Sequence, residues 1–139
     1  MLTVVAALIQ SSGKLLVCQR KRGTSFGMMW EFPGGKVKHG ESLEQALARE
    51  LEEELGTNAR IGPEVYRTQH RYAELNDPIK LIFFSAHLDP AKVRNQVFEQ
   101  IEWLPPAALP TLNFLPADRE LIEKLASGAL PLAKVANDA

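Results

Sequence analysis

Glu50, Glu53 and Glu54 stand at i, i+3 and i+4, a spacing that on a helix projects three carboxylates from adjacent turns of one side. With Glu41, Glu44 and Glu52 they make six glutamates in residues 41–54, against the single base Arg49. Like charges so placed repel, and burying any of them adds a desolvation cost. A hard divalent cation relieves both problems, because Mg²⁺ wants oxygen ligands and commonly takes a few carboxylates plus substrate phosphate. The bland alternative is an acidic solvated helix, the usual fate of a charge run.

The element that must position these groups is a helix over Leu43–Leu55. Ser42 with Gln45 makes a capping box, Gly56 is a natural C′ residue, and Leu43, Leu47, Leu51 and Leu55 recur every four residues. At about 100° per residue, Glu50 and Glu54 fall inside or beside the leucine sector and Glu53 at its edge. Only Glu52 lies opposite, where an ordinary amphipathic helix keeps its charges. The spacing therefore predicts three glutamates crowded on the inward side. The turn sequence Glu31-Phe32-Pro33-Gly34-Gly35-Lys36 stands before them.

Around this helix, residues 2–10 and 14–19 read as strands joined by a hairpin turn at Ser11-Ser12-Gly13. Residues 65–74, 79–88 and 100–104 read as further strands, and residues 117–126 as a second amphipathic helix after a proline-rich connector. This order predicts a mixed α/β domain over residues 1–126, with a tail over 127–139; it is not the regular alternation of a doubly wound parallel sheet. No Gly-x-Gly-x-x-Gly or Walker-type phosphate cradle is present.

The 139 residues fit one domain, and a net charge of −1 gives no general attraction to nucleic acid polymers or anionic membranes. The apolar opening residues lack a basic region and a cleavage site and are too few to span a bilayer. The single cysteine, Cys18, excludes an intrachain disulfide and favours a reducing cytoplasm; within its strand it reads as a small buried hydrophobe. His39, His70 and His87 show no ligand spacing.

Gly35, five residues, Glu41, seven residues, then Arg49-Glu50-Leu51-Glu52-Glu53-Glu54-Leu55-Gly56 reproduce the box of the Nudix hydrolase family, departing only at Thr57, where an aliphatic residue is usual. The segment from Trp30 to Lys36, and Phe114-Leu115-Pro116-Ala117-Asp118-Arg119, resemble its MutT-like members. The resemblance implies an α/β/α sandwich with a mixed central sheet and a Mg²⁺- or Mn²⁺-dependent hydrolase. It implies that Glu50, Glu53, Glu54 and the carbonyl of Gly34 ligate the metal. Glu41 would belong to the same network, with Arg49 orienting carboxylates by charge-assisted hydrogen bonds. A further carboxylate from a later loop is expected as base or ligand: Glu99, with Glu102 as runner-up and a plain surface glutamate as the alternative.

The same resemblance implies a nucleotide as the small-molecule partner of a monomer or homodimer. The expected reaction cuts a nucleoside triphosphate (an oxidised one such as 8-oxo-dGTP, or a cytidine nucleotide) to monophosphate and pyrophosphate. Rival readings are an ADP-ribose or dinucleotide polyphosphate hydrolase, and a non-catalytic nucleotide sensor. Arg20, Phe32, Lys36 and Asp118 are the substrate-binding candidates. Arg20 is otherwise a surface arginine, and Asp118 otherwise an acid stabilising the first turn of its helix. Trp30, Phe32 and Phe114 serve either as a wall for the base or as core.

Overall fold

The computed structural model describes residues 1–73 and 76–132. Its strands are β1 (Leu2–Ser11), β2 (Lys14–Gln19), β3 (Trp30–Glu31), β4 (Gly34–Lys36), β5 (Arg60–His70), β6 (Ile79–His87) and β7 (Gln100–Leu104). Its helices are α1 (Leu43–Leu55) and α2 (Arg119–Ser127).

β1 lies at the centre because its apolar run is continuous rather than alternating, the mark of a strand covered on both faces. Val5, Ala7 and Ile9 join Leu47, Leu51 and Leu55 of α1 in one core. Ala6 and Leu8 join Leu121, Ile122 and Leu125 of α2 in the other. β6 divides likewise, sending Ile82 and Phe84 to the first core and Leu81 and Phe83 to the second. The result is the expected α/β/α sandwich.

The seven-stranded sheet runs β3-β2-β1-β6-β5, with β4 paired to β1 and β7 to β2. β1 and β6 are parallel, from Leu2 opposite Ile79 to Ile9 opposite Ala86; the other pairs are antiparallel. β2 pairs with β1 only at Gln10 and Ser11, next to the turn. β4 takes the edge that β2 leaves, so Gly34 and Gly35 lie against Ala6 and Val5. That pairing carries the turn before α1 into the middle of the sheet.

Several expected boundaries move. The strand predicted over 65–74 runs instead from Arg60 to His70, with register shifts between Ile61 and Tyr66. Pro63 is accommodated there because β5 is an edge strand, where a residue without an N–H is tolerated. Glu74 lies outside the described residues. α2 starts two residues late, after a 3₁₀ turn over Pro116–Asp118. The proline-rich connector is ordered as a 3₁₀ segment, Pro106–Thr111, that buries Leu109 completely. Past α2, Leu130 and Leu132 pack against the α2-side core, and residues 133–139 of the expected tail lie outside those described.

Candidate active site

Both ends of α1 form as its sequence dictates. The Ser42 hydroxyl accepts the Gln45 N–H at 3.0 Å, and the Gln45 side chain accepts the Ser42 N–H at 2.9 Å. Gly56 closes the helix in the left-handed conformation at φ 68°. With the helix so pinned, the glutamates separate into distinct environments. The Glu50 side chain is only 15% exposed, whereas that of Glu53 is 54% exposed. The expectation that all three crowd inward is thus corrected for Glu53, which sits at the sector's edge and reaches solvent.

Arg49 ties the outer part together. Its guanidinium donates to Glu41 through Nε at 2.6 Å, to Glu50 at 3.0 Å, to Glu53 at 3.3 Å and to the Lys36 carbonyl at 3.1 Å. The bonds from Arg49, helped by the Lys38 N–H, hold the Glu41 carboxyl down at about 2. Glu54 is in the opposite situation. Burial, with the charges of Glu50 and Glu31 added, pushes its carboxyl well above the usual range, although the Gly34 N–H donates to it at 3.1 Å.

The two glycines before the helix make this proximity possible. A Cβ on Gly35 would lie 2.4 Å from the Glu50 carboxyl carbon, and one on Gly34 would lie 2.0 Å from the Val5 carbonyl oxygen. At Gly34 backbone blocks any side chain, whereas at Gly35 a side chain would displace the Glu50 carboxylate.

A cavity of about 680 Å³, within the usual range for small-molecule sites, opens beside this cluster. Gly34, Gly35 and Glu54 line it together with Arg20, Glu31 and Asp118. Asp118 is 4% exposed. It sits at the start of α2, makes no capping hydrogen bond there, and lines the cavity. Burial, with the Glu31 charge added, pushes that carboxyl well above its ordinary value.

Arg20 reaches the cavity but is engaged: Nη1 pairs with Glu31 at 3.1 Å and Nε donates to the Ser25 carbonyl at 2.8 Å. Lys36 lines the cavity at an exposed position. Phe32 contributes to the lining, but it is 3% exposed and its ring packs against Phe83 and Phe114. Trp30 and Phe114, 6% and 2% exposed, belong to the core and do not line the cavity.

Glu99 is not brought to the cavity. Pairing of Gln100 with Gln19 sets it beside the start of the following loop, where its carboxylate accepts the Arg22 N–H at 3.3 Å. Glu102, opposite Val17, is exposed on β7. Glu31, Phe26 and Tyr72, absent from the candidates legible in the sequence, also line the cavity. Glu31 carried a usable signal, since it adjoins the Gly-Gly turn; two aromatics in unpatterned segments carried none.

Among the described residues, no three acidic, histidine or cysteine side chains converge closely enough to hold a metal ion unaided. The donor set nevertheless suits a hard cation. Glu50 and Glu54 place excess buried negative charge beside the Gly34–Gly35 backbone, and Glu53 stands one turn from Glu50 on Arg49. No helix among the described residues is long and apolar enough to cross a membrane.

Residues 1–125 match the NUDIX domain model. The chain is 35% identical over 123 residues to the CTP pyrophosphohydrolase of Escherichia coli (strain K12), covering 88% of this chain and 90% of that protein. It is 38% identical over 127 residues to the 8-oxo-dGTP diphosphatase of Haemophilus influenzae, covering 88% and 89%. The solution structure of the E. coli ORF135 protein superposes with a TM-score of 0.79 at 35% identity, covering 99% of this chain and 95% of that one. A family match over most of the chain, with the box residues gathered beside one cavity, shows that the chain belongs to the Nudix family as a MutT-like hydrolase.

Proposed function

We propose that the chain hydrolyses nucleoside triphosphates between the α and β phosphates, releasing the monophosphate and pyrophosphate. The observation that carries this reading is that one cavity is lined both by Gly35 and Glu54 of the box and by the buried acid Asp118. The phosphate-cutting groups and a base-reading group therefore address the same ligand. A carboxyl at Asp118 suits the amino donor of a cytosine-like edge or the amino and ring N–H donors of a guanine-like edge. The CTP pyrophosphohydrolase and 8-oxo-dGTP diphosphatase relatives make those two nucleotides the first to try.

Glu50, Glu53, Glu54 and the Gly34 carbonyl would hold Mg²⁺ or Mn²⁺, which when bound neutralises the diphosphate and lowers the pKa of its water. The remaining work belongs to the chain. Arg49 holds Glu41, Glu50 and Glu53 in register through fixed hydrogen bonds. Gly34 and Gly35 keep the backbone close to Glu54 and Glu50. The apolar walls at Val4, Ala6 and Leu81 limit water around the nucleoside. We place the protein in the cytoplasm, a reading supported by its single, fully buried thiol.

Incubation with Mg²⁺ and a nucleotide panel tests the proposal, scoring pyrophosphate, phosphate and monophosphate. Pyrophosphate and monophosphate from CTP or 8-oxo-dGTP support it. AMP from ADP-ribose in their place, or binding with no turnover on the whole panel, overturns it. Glu53→Gln and Glu54→Gln should each lower metal-dependent kcat by about 100-fold or more, the loss expected when several kcal/mol of charge stabilisation go.

A further inference from the structure

Of the aromatics weighed as base wall or core, Trp30 and Phe114 are core residues, and Phe32 is almost wholly packed. Two others line the cavity instead. Phe26 and Tyr72 meet with ring centroids 5.1 Å apart at an interplanar angle of 50°. Phe26 is 37% exposed and its backbone has φ 56°. For a bulky side chain the left-handed region is strained. Strain and an exposed aromatic thus coincide at one residue on a cavity wall, the kind of outlier from which a functional role is fairly inferred.

The surroundings hold that conformation in place. The loop carrying Phe26 is closed by backbone hydrogen bonds from Arg20 N to the Met29 oxygen (2.9 Å) and from Met28 N to the Arg20 oxygen (2.8 Å). Within it, Arg20 Nε grips the carbonyl of Ser25, the residue next to Phe26, while its Nη1 is anchored on Glu31. A Cβ at Gly27 would lie 2.8 Å from the Lys21 carbonyl oxygen, so the turn admits only glycine after Phe26. Tyr72 is fixed separately. Its hydroxyl accepts the Ala117 N–H at 3.3 Å, and the His70 ring meets its ring at 4.5 Å. The phenol is thereby tied to the residue preceding Asp118.

We propose that Phe26 and Tyr72 form the stacking wall for the nucleobase whose edge Asp118 reads, and that Arg20 is the positioning residue holding the Phe26 loop. This assignment rests on the reading that the cavity takes nucleotides, and it deepens that reading by naming what grips the base face. Aromatic faces accept every base, so the wall supplies affinity and Asp118 the choice among bases.

Kinetics with CTP and 8-oxo-dGTP test the wall, with equilibrium binding of the same nucleotides as a second readout. Phe26→Ala should raise KM about tenfold or more, with kcat within about threefold, the size expected for one lost base stack. Phe26→Gly should raise KM equally yet melt no lower than the parent, because glycine accepts the left-handed backbone; a residue serving only the fold would lose stability. Arg20→Ala should raise KM, and adding Phe26→Ala to it should raise KM little further, as expected for two residues acting through one contact. In Phe26→Trp, KM should stay near the parent value and the introduced indole should be quenched by either nucleotide. An unchanged KM in folded Phe26→Ala, or no quench in Phe26→Trp, overturns the wall. If the parent cleaves no triphosphate while the Phe26→Trp indole is still quenched, the functional reading fails and the wall stands.

Discussion

Asp118 carries a carboxyl that burial, and secondarily Glu31, pushes well above its ordinary value of 3.8. A group whose folded pKa is raised binds its proton more tightly folded than unfolded. Its contribution to stability is full below about 4 and declines as pH rises through the folded value. Asp118→Asn removes that titration. Melting temperatures measured from pH 4 upward should therefore show the variant gaining on the parent as pH rises, while its base selectivity changes. Parallel pH profiles for the two proteins would sink this account. Other residues show how far side-chain chemistry was legible beforehand. The i, i+3, i+4 glutamates announce themselves by spacing, whereas the role of Arg49 comes from the family resemblance and that of Glu99 rests on its place before a strand. The structure puts Glu99 on the Arg22 N–H, because strand register, invisible in one sequence, decides where a flanking loop points.

Gly34, Gly35 and α1 work as one element, and two substitutions within it should separate stability from chemistry. Ser42→Ala removes the capping hydroxyl and should cost about 1 kcal/mol, lowering Tm by about 3 °C with kcat unchanged. Gly35→Ala puts a methyl 2.4 Å from the Glu50 carboxyl carbon. The carboxylate is the movable end of a side chain, so the fold should survive while kcat falls about tenfold or more, since a misplaced ligand costs about 10–100-fold. Calorimetry and steady-state kinetics on both variants check the pair; equal effects of the two substitutions on kcat would contradict it. This element was almost fully readable from its sequence because cap, leucine stripe and terminating glycine all lie within fifteen or so consecutive residues. β5 was read less well. Pro63 resembles a strand breaker locally, and only its position at the sheet edge makes it acceptable.

At the scale of the whole molecule, two cores on opposite faces of one sheet hold the box on one side and α2 on the other. Tyr66 on β5 donates to Glu120 of α2 at 2.7 Å, and Leu130 donates its N–H to Lys124 at 3.0 Å. Because Leu130 and Leu132 cover the α2-side core, we place the domain boundary beyond Leu132 rather than at residue 126. Truncation after Gly128 should then destabilise the protein by about 1–2 kcal/mol, the worth of two half-buried leucines. Chemical denaturation measures it, and an unchanged midpoint would return the boundary to the end of α2. The sequence by itself determined the helix, its caps, the carboxylate spacing and the apolar strands, since each is a local pattern repeated within one or two turns. Only the tertiary structure decided that Glu54 and Asp118 share a cavity with Glu31, Phe26 and Tyr72. Those residues come from five separate segments, and they meet only because β1 pairs in parallel with β6 while β4 occupies the edge that β2 gives up.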